Sequence, residues 1–184
     1  VRKMKDRAGL DRSQVIFTFS HNHCGPRLRG DLVDYYPLEE QQDALVGEYT
    51  DHVDEVMVET ALRALADRVP ARLSIGEGEA TFAVNRRENP ESQLDEILKA
   101  KEPLKGPVDH SVPVLTVHNA SDELVAVLFG YACHPTTLSF TQWCGDYPGF
   151  AQIEIEASHP GTMAMFFNTC GADQNPLPRR TVEL

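Results

Sequence analysis

No stretch of this sequence approaches the ~20 consecutive apolar residues of a membrane span. The longest run, Leu124–Phe129 and just beyond, is strand-sized. Positive charge is scarce: 17 Lys and Arg stand against 28 Asp and Glu, a formal charge of −11. Nucleic-acid binders need clustered cations to meet phosphates, so that class of partner is excluded and docking on anionic membranes is disfavoured. The four cysteines, Cys24, Cys133, Cys144 and Cys170, contain no Cys-x-x-Cys pair. This argues against a cysteine-rich zinc site and against a disulfide scaffold, and leaves open whether any of them pair. The basic start, Val1–Lys5, is followed by no apolar stretch, so it does not read as a signal peptide. It carries no initiator Met, and the natural N-terminus is expected to lie upstream.

What is present suits one domain or most of one: 184 residues, 41% apolar. Residues 1–10 read as a short helix. Val15–Phe19 is β-branched and aromatic and reads as a buried strand. Residues 25–40 form a charged loop. Residues 43–69 carry the strongest helical pattern, with Leu45, Tyr49, Val53, Met57, Ala61, Leu65 and Val69 at i+4 spacing and Pro70 as the stop. This helix is expected to pack on a sheet. Ala71–Val84, with Gly76 and Gly78, reads as a bent or bulged strand. A short helix is expected near 94–101, and Val114–Val117 and Leu124–Tyr131 as strands joined through Asn119–Asp122. A helix over 150–157 and a strand over 161–167 complete the pattern. Helices and strands interleave, which predicts an α/β (α+β) fold with a mixed sheet flanked by helices.

Three apolar runs end in polar loops, at residues 20–26, 133–137 and 168–176. Ligand sites gather where strands end, because the sheet holds loop residues in place. His21 and His23 stand at i, i+2, the spacing that puts two imidazoles on one face of an extended strand. With His134 they supply three nitrogen donors, a number catalytic zinc favours; His134 alone reads equally as a hydrogen-bonded loop residue. Arg86 is either a surface cation or a fork for a ligand oxygen. Asp146 in Gly145-Asp146-Tyr147-Pro148-Gly149 either caps a helix or orients a metal-bound histidine from behind. His52, His110, His118 and His159 read as exposed or structural. His21-Asn22-His23 is contiguous and lies in an acidic chain, unlike the dispersed motif of HNH nucleases.

Four segments, in order, resemble the neutral/alkaline ceramidase family: His21-Asn22-His23-Cys24-Gly25-Pro26, Asn85-Arg86, Cys133-His134-Pro135-Thr136 and Gly145-Asp146-Tyr147-Pro148-Gly149. The resemblance covers about residues 1–178. It implies Zn²⁺ held by His21 and His134, His23 beside the water the metal activates, Arg86 against the substrate near a scissile amide, and Asp146 and Asp173 behind the ligands. It implies a small-molecule or lipid-like N-acyl substrate and a secreted or periplasmic setting. The family's remaining ligands, a Glu and a Tyr, fall beyond residue 184. The chain is therefore expected to be an internal piece of a larger catalytic domain that by itself binds zinc weakly and is inactive. Gln174, in Gly171-Ala172-Asp173-Gln174-Asn175-Pro176, stands where the family has an active-site Ser. An amide cannot act as a nucleophile, although it can hydrogen-bond a carbonyl or a water. Two alternatives to ceramide-like amide hydrolysis stay open: a zinc hydrolase with a non-lipid substrate, and a non-catalytic ligand-binding or interaction module. The histidines are expected to meet, with the Nε2 atoms of His21 and His134 roughly 3–5 Å apart, as two ligands of one metal require.

Overall fold

The computed structural model describes residues 1–139 and 141–180. It divides into two compact units, Val1–Phe17 with Pro26–Val69, and Thr18–Gly25 with the chain from Pro70 onward.

The first unit holds α1 (Arg2–Ala8), a 3-10 turn (Arg12–Gln14) and α2 (Glu40–Ala66). Gly9 closes α1 in the left-handed conformation, φ 68°, which glycine adopts without steric cost. A capping box from Glu39 and Gln42 opens α2. The i+4 pattern thus marks the helix, three residues early at both ends. Its apolar stripe is only partly covered within this unit: Val58 and Met4 are buried, whereas Met57, Val56 and Leu45 remain about half exposed. Ion pairs from Lys3 to Asp54 and Glu55, and from Arg7 to Glu59, join α1 to α2.

The second unit contains a four-stranded sheet in the order β1 (Arg72–Glu79), β3 (Ser111–His118), β4 (Leu124–Tyr131), β5 (Met163–Asn168). The first three strands are antiparallel and β5 runs parallel to β4. A second small sheet pairs β2 (Ala83–Asn85) with β6 (Gln174–Pro176). Helix α3 spans Glu91–Lys99, and α4 (Asp146–Ser158) makes the crossover from β4 to β5. The predicted α+β fold with a mixed sheet is what forms.

Three expectations change. Val15–Phe19 forms no strand and is not buried, with Ile16 86% and Phe19 70% exposed. Its β propensity finds no ladder: Phe19 contributes only its carbonyl, to the Asn168 N–H at 3.3 Å, and a strand needs a row of such bonds. Gly76 and Gly78 cause no bulge, because β1 pairs with β3 in unbroken register from Arg72↔His118 to Glu79↔Ser111; the irregularity falls instead at Val117/His118 against β4. The chain leaves the sheet after Glu79 and resumes as the separate β2.

The core of this unit is aromatic and sits under the start of the 133–137 loop. Tyr131 and Cys133 are buried beside Ala83, with Phe82, Tyr147 and Phe166 packed against them. Ring centroids are 4.8 Å apart for Phe82–Tyr131 and 5.0 Å for Phe82–Tyr147, the spacing of favourable edge and tilted contacts. The phenols keep their polar ends satisfied: Tyr131 donates to the Ala80 carbonyl and accepts from Ala83 N–H, and Tyr147 donates to the Cys133 carbonyl at 2.9 Å. Burial pushes the Tyr131 phenol and the Cys133 thiol each up to about 12, so both are neutral packing groups.

Candidate metal centre

Because β4 and β5 are parallel, their C-terminal ends lie side by side and their following loops emerge together. The link is tight: Thr169 N–H donates to Tyr131 O at 3.1 Å, and the Asn168 amide, in the orientation that satisfies its neighbours, donates to Tyr131 O and Cys133 O at 3.0 Å each. Residues 18–25 join this corner through Phe19 O, and through Cys24 O, which accepts Cys144 N–H at 3.0 Å. The three polar loops therefore do converge.

They bring His21, His23 and His134 together, one ring nitrogen of each lying within 4.8 Å of the others. Ring centroids are 4.7 Å apart for His21–His134, 5.4 Å for His21–His23 and 6.1 Å for His23–His134. His134 is 7% exposed and held from behind. Its backbone N–H donates to Gln174 O at 2.9 Å, and its Nδ1–H donates to Gly171 O at 2.7 Å, with Gln174 O at 3.2 Å. Two carbonyls can only accept, so Nδ1 carries the proton and Nε2 keeps its lone pair for a ligand. His21 adopts a left-handed φ of 51°, a cost of about 1 kcal/mol for a residue with a Cβ. The turn around it is pinned by Asn22, whose Oδ1 accepts Cys24 N–H and whose Nδ2 donates to Ser20 Oγ.

Partial burial, with His21 and His134 alongside, lowers the His23 imidazole below its usual range. Burial likewise lowers His134, the Gly171 carbonyl offsets part of this, and the Arg86 charge depresses it further. Both are therefore neutral at pH 7, the form that ligates a metal.

The other expected residues surround this group. Asp146, fully buried at the start of α4, accepts from the backbone N–H groups of Thr137 (3.1 Å), Leu138 (2.9 Å) and Tyr147 (2.7 Å). Its carboxylate braces the loop after His134, whereas the imidazole itself is oriented by the Gly171 and Gln174 carbonyls. Asp173 accepts from Asn85 Nδ2 at 3.3 Å, and its backbone carbonyl accepts Arg86 N–H at 2.8 Å. Gln174 is 4% exposed, and its Oε1 accepts Asp109 N–H at 3.1 Å, so its side-chain oxygen is engaged by the scaffold. Arg86 follows β2, whose Asn85 pairs with Gln174. All four cysteines are free thiols. His52 and His159 are exposed, and His110 Nε2–H donates to Ala83 O at 3.1 Å; none joins the group.

Two residues were not picked out by sequence reasoning. Gly171 presents the carbonyl that orients His134, and a Cβ there would stand 2.4 Å from Cys133 N. Arg179 donates from Nε to Thr136 Oγ1 at 3.2 Å and pairs with Glu91. A glycine and an arginine in a polar tail carry no spacing signal; only the fold places them.

Three imidazoles, each offering one ring nitrogen within 4.8 Å of the others, fit a borderline-soft divalent ion such as zinc, which takes nitrogen ligands at ~2.0–2.1 Å and so draws its donors to about 3.3 Å apart. Such a donor set can hold a metal, bind a water, or polarise a carbonyl beside it.

No protein-family model matches the sequence, and no curated protein matches it. Two solved structures do share its architecture. A neutral ceramidase from Pseudomonas aeruginosa superposes with a TM-score of 0.67 over 95% of this chain at 21% identity, and a ceramidase complexed with C2 with a TM-score of 0.68 at 21% identity over the same share. The chain spans 28% and 27% of the length of those two proteins. Its fold is thus that of a part of the neutral ceramidase structure.

Proposed function

We propose that this chain carries the histidine part of a zinc-dependent hydrolase site acting on an amide, of the N-acyl type found in ceramide. The observation that carries the reading is the gathering of His21, His23 and His134 at the ends of the parallel strands, in a fold shared with ceramidase structures. On this reading His21 and His134 hold the ion through their free nitrogens, within a larger catalytic domain of which residues 1–184 are one part. When bound, zinc supplies a Lewis acid and a water activated for attack at neutral pH. His23, lowered below the ordinary range, stays unprotonated at pH 7 and takes up the proton released during attack. Arg86 faces the carbonyl oxygen as charge grows on it. Gln174 serves as scaffold: its backbone carbonyl receives His134 and its side chain receives Asp109.

A second reading rests on that same Gln174. With no hydroxyl at this position and the amide oxygen engaged, the site is also that of a relative that binds an amide ligand without cleaving it. Metal analysis of the full-length protein, followed by a panel of N-acyl substrates, decides between them. Stoichiometric zinc with turnover supports the hydrolase; a bound ligand with neither metal nor turnover supports the binding module. Full activity in His134→Ala would remove the metal assignment.

A further inference from the structure

Beside the histidines the charge of the molecule reverses. The chain as a whole is −11, yet three arginines, Arg86, Arg179 and Arg180, lie next to the His134 loop along the chain segments that pair with it. Arg86 follows the Asn85↔Gln174 pair, and Gln174 O is a partner of His134. Arg179 donates to Thr136 Oγ1, and Arg180 N–H donates to Thr137 O at 2.9 Å. The tail that bears them therefore runs along the same loop. Only one carboxylate answers them among the described residues: Glu91, 2.5 Å from Arg179 Nη1 and 3.7 Å from Arg180 Nε. Arg179 is 8% exposed in this pair, so its charge is held where water screens it little. Arg86 forms no ion pair among the described residues, and its Nε is buried with no hydrogen-bond partner. A guanidinium offers five donors in a fixed fork that matches the two oxygens of a carboxylate or phosphate. A buried guanidinium nitrogen left without an acceptor is costly unless a ligand supplies one.

We infer that Arg86, backed by Arg179 and Arg180, forms an oxyanion site beside the histidines, and that the pocket's ligand bears a carboxylate or phosphate group. This rests on the reading of the histidine pocket as the ligand site, and it narrows the substrate from any amide to one carrying a negative charge. Two features of the field agree: the Arg86 charge acts on His134, and Arg179 and Arg180 act on His23.

The test is calorimetry on the full protein, stripped of metal and then freed of chelator. Three probes are titrated: inorganic phosphate, N-hexanoylglycine, and the neutral N-hexanoylglycine amide. At least one of the two anions is expected to bind, ten-fold or more tighter than the neutral amide. Tighter N-hexanoylglycine places the oxyanion on an acylated substrate; tighter phosphate makes the site one for a phosphate group. Arg86→Gln, whose guanidinium makes no side-chain hydrogen bond among the described residues, should weaken the anion at least ten-fold and weaken the neutral amide by a smaller factor, so that the preference for the anion falls. Glu91→Gln removes the competing carboxylate and should tighten the anion several-fold, whereas a purely structural ion pair predicts no gain. Equal binding of neutral and charged probes overturns the inference, as do Arg86→Gln and Glu91→Gln variants that both bind like the parent. A parallel zinc titration separates the two readings: anion binding without zinc binding removes the metal assignment alone, and zinc binding without anion preference removes this one alone.

Discussion

His134 is the residue on which the rest of the site depends. It is buried, its Nδ1–H is committed to a carbonyl, and only Nε2 is free. If His134 ligates zinc as proposed, His134→Ala in the full-length protein should abolish metal-dependent hydrolysis and lower zinc affinity by at least ~100-fold, more than the ~10–100-fold expected for a group that only orients a ligand. Metal content and turnover of the purified variant check this. Gly171 supplies the carbonyl that orients His134. A methyl at Gly171 would meet the backbone of Cys133 at 2.4 Å and of Ala132 at 2.8 Å, so Gly171→Ala must move the carbonyl away from His134. Zinc affinity is expected to fall ~10–100-fold, with a stability cost of about 1–3 kcal/mol from overpacking; titration with a zinc indicator alongside urea unfolding reads both. The imidazoles also set a pH dependence. His23 and His134 both titrate below the ordinary value in the folded chain, so below about pH 6.5 the unfolded state binds more protons than the folded one. Their contribution to stability is complete above the unfolded pKa and is lost as pH falls through the folded values. The metal-free protein should therefore unfold at progressively lower urea between pH 7 and pH 5. His134→Gln should flatten that slope.

Among the elements, the start of α4 does most to hold the His134 loop. Asp146 sits at φ 55° and accepts three backbone N–H groups, two of them from the loop. Asp146→Ala leaves those donors buried and unsatisfied, at about 1–3 kcal/mol each. A loss of about 3 kcal/mol or more is expected, with zinc affinity falling as the loop loosens. A null effect in thermal unfolding would show that the carboxylate does not brace the loop. Tyr147→Phe, one residue on, removes only the bond to Cys133 O and keeps the ring among Phe82, Tyr131 and Phe166. About 1 kcal/mol is expected there, since the lost bond is single and the packing remains.

Across the whole molecule, stability is unevenly shared between the units. The first unit buries few apolar side chains, Met4 and Val58 among them, and α2 leaves Met57 and Leu45 about half exposed. The second buries Val127, Phe129, Tyr131, Cys133 and Ala164 across paired strands. Local opening follows buried contacts, so amides of β4 should exchange with deuterium far more slowly than those of α2. Equal protection of the two would contradict this division.

How much of this the linear chain decided depends on how local each determinant is. The i+4 apolar spacing of residues 45–65 and the Pro at 70 specify α2 without help from the fold, and the Asn119 turn with its flanking β-branched runs specifies the β3–β4 pairing. The four ordered segments likewise mark His21, His23, Arg86, His134 and Asp146 by residue type and order alone. Other features are properties of the assembled chain. Val15–Phe19 has the composition of a strand, but a strand exists only where a partner supplies the ladder, and residue 19 finds one bond. Asp146 could be read as a helix cap or as a partner of histidine; the fold aims it at the amides of Thr137 and Leu138. Gly171 and Arg179 look like ordinary loop residues, and they matter because parallel β4 and β5 end side by side. Local pattern chose the elements and the chemistry-bearing residues; the register of the sheet decided which of those residues meet, because contacts across ~40 to 150 residues of sequence exist only once the strands have paired.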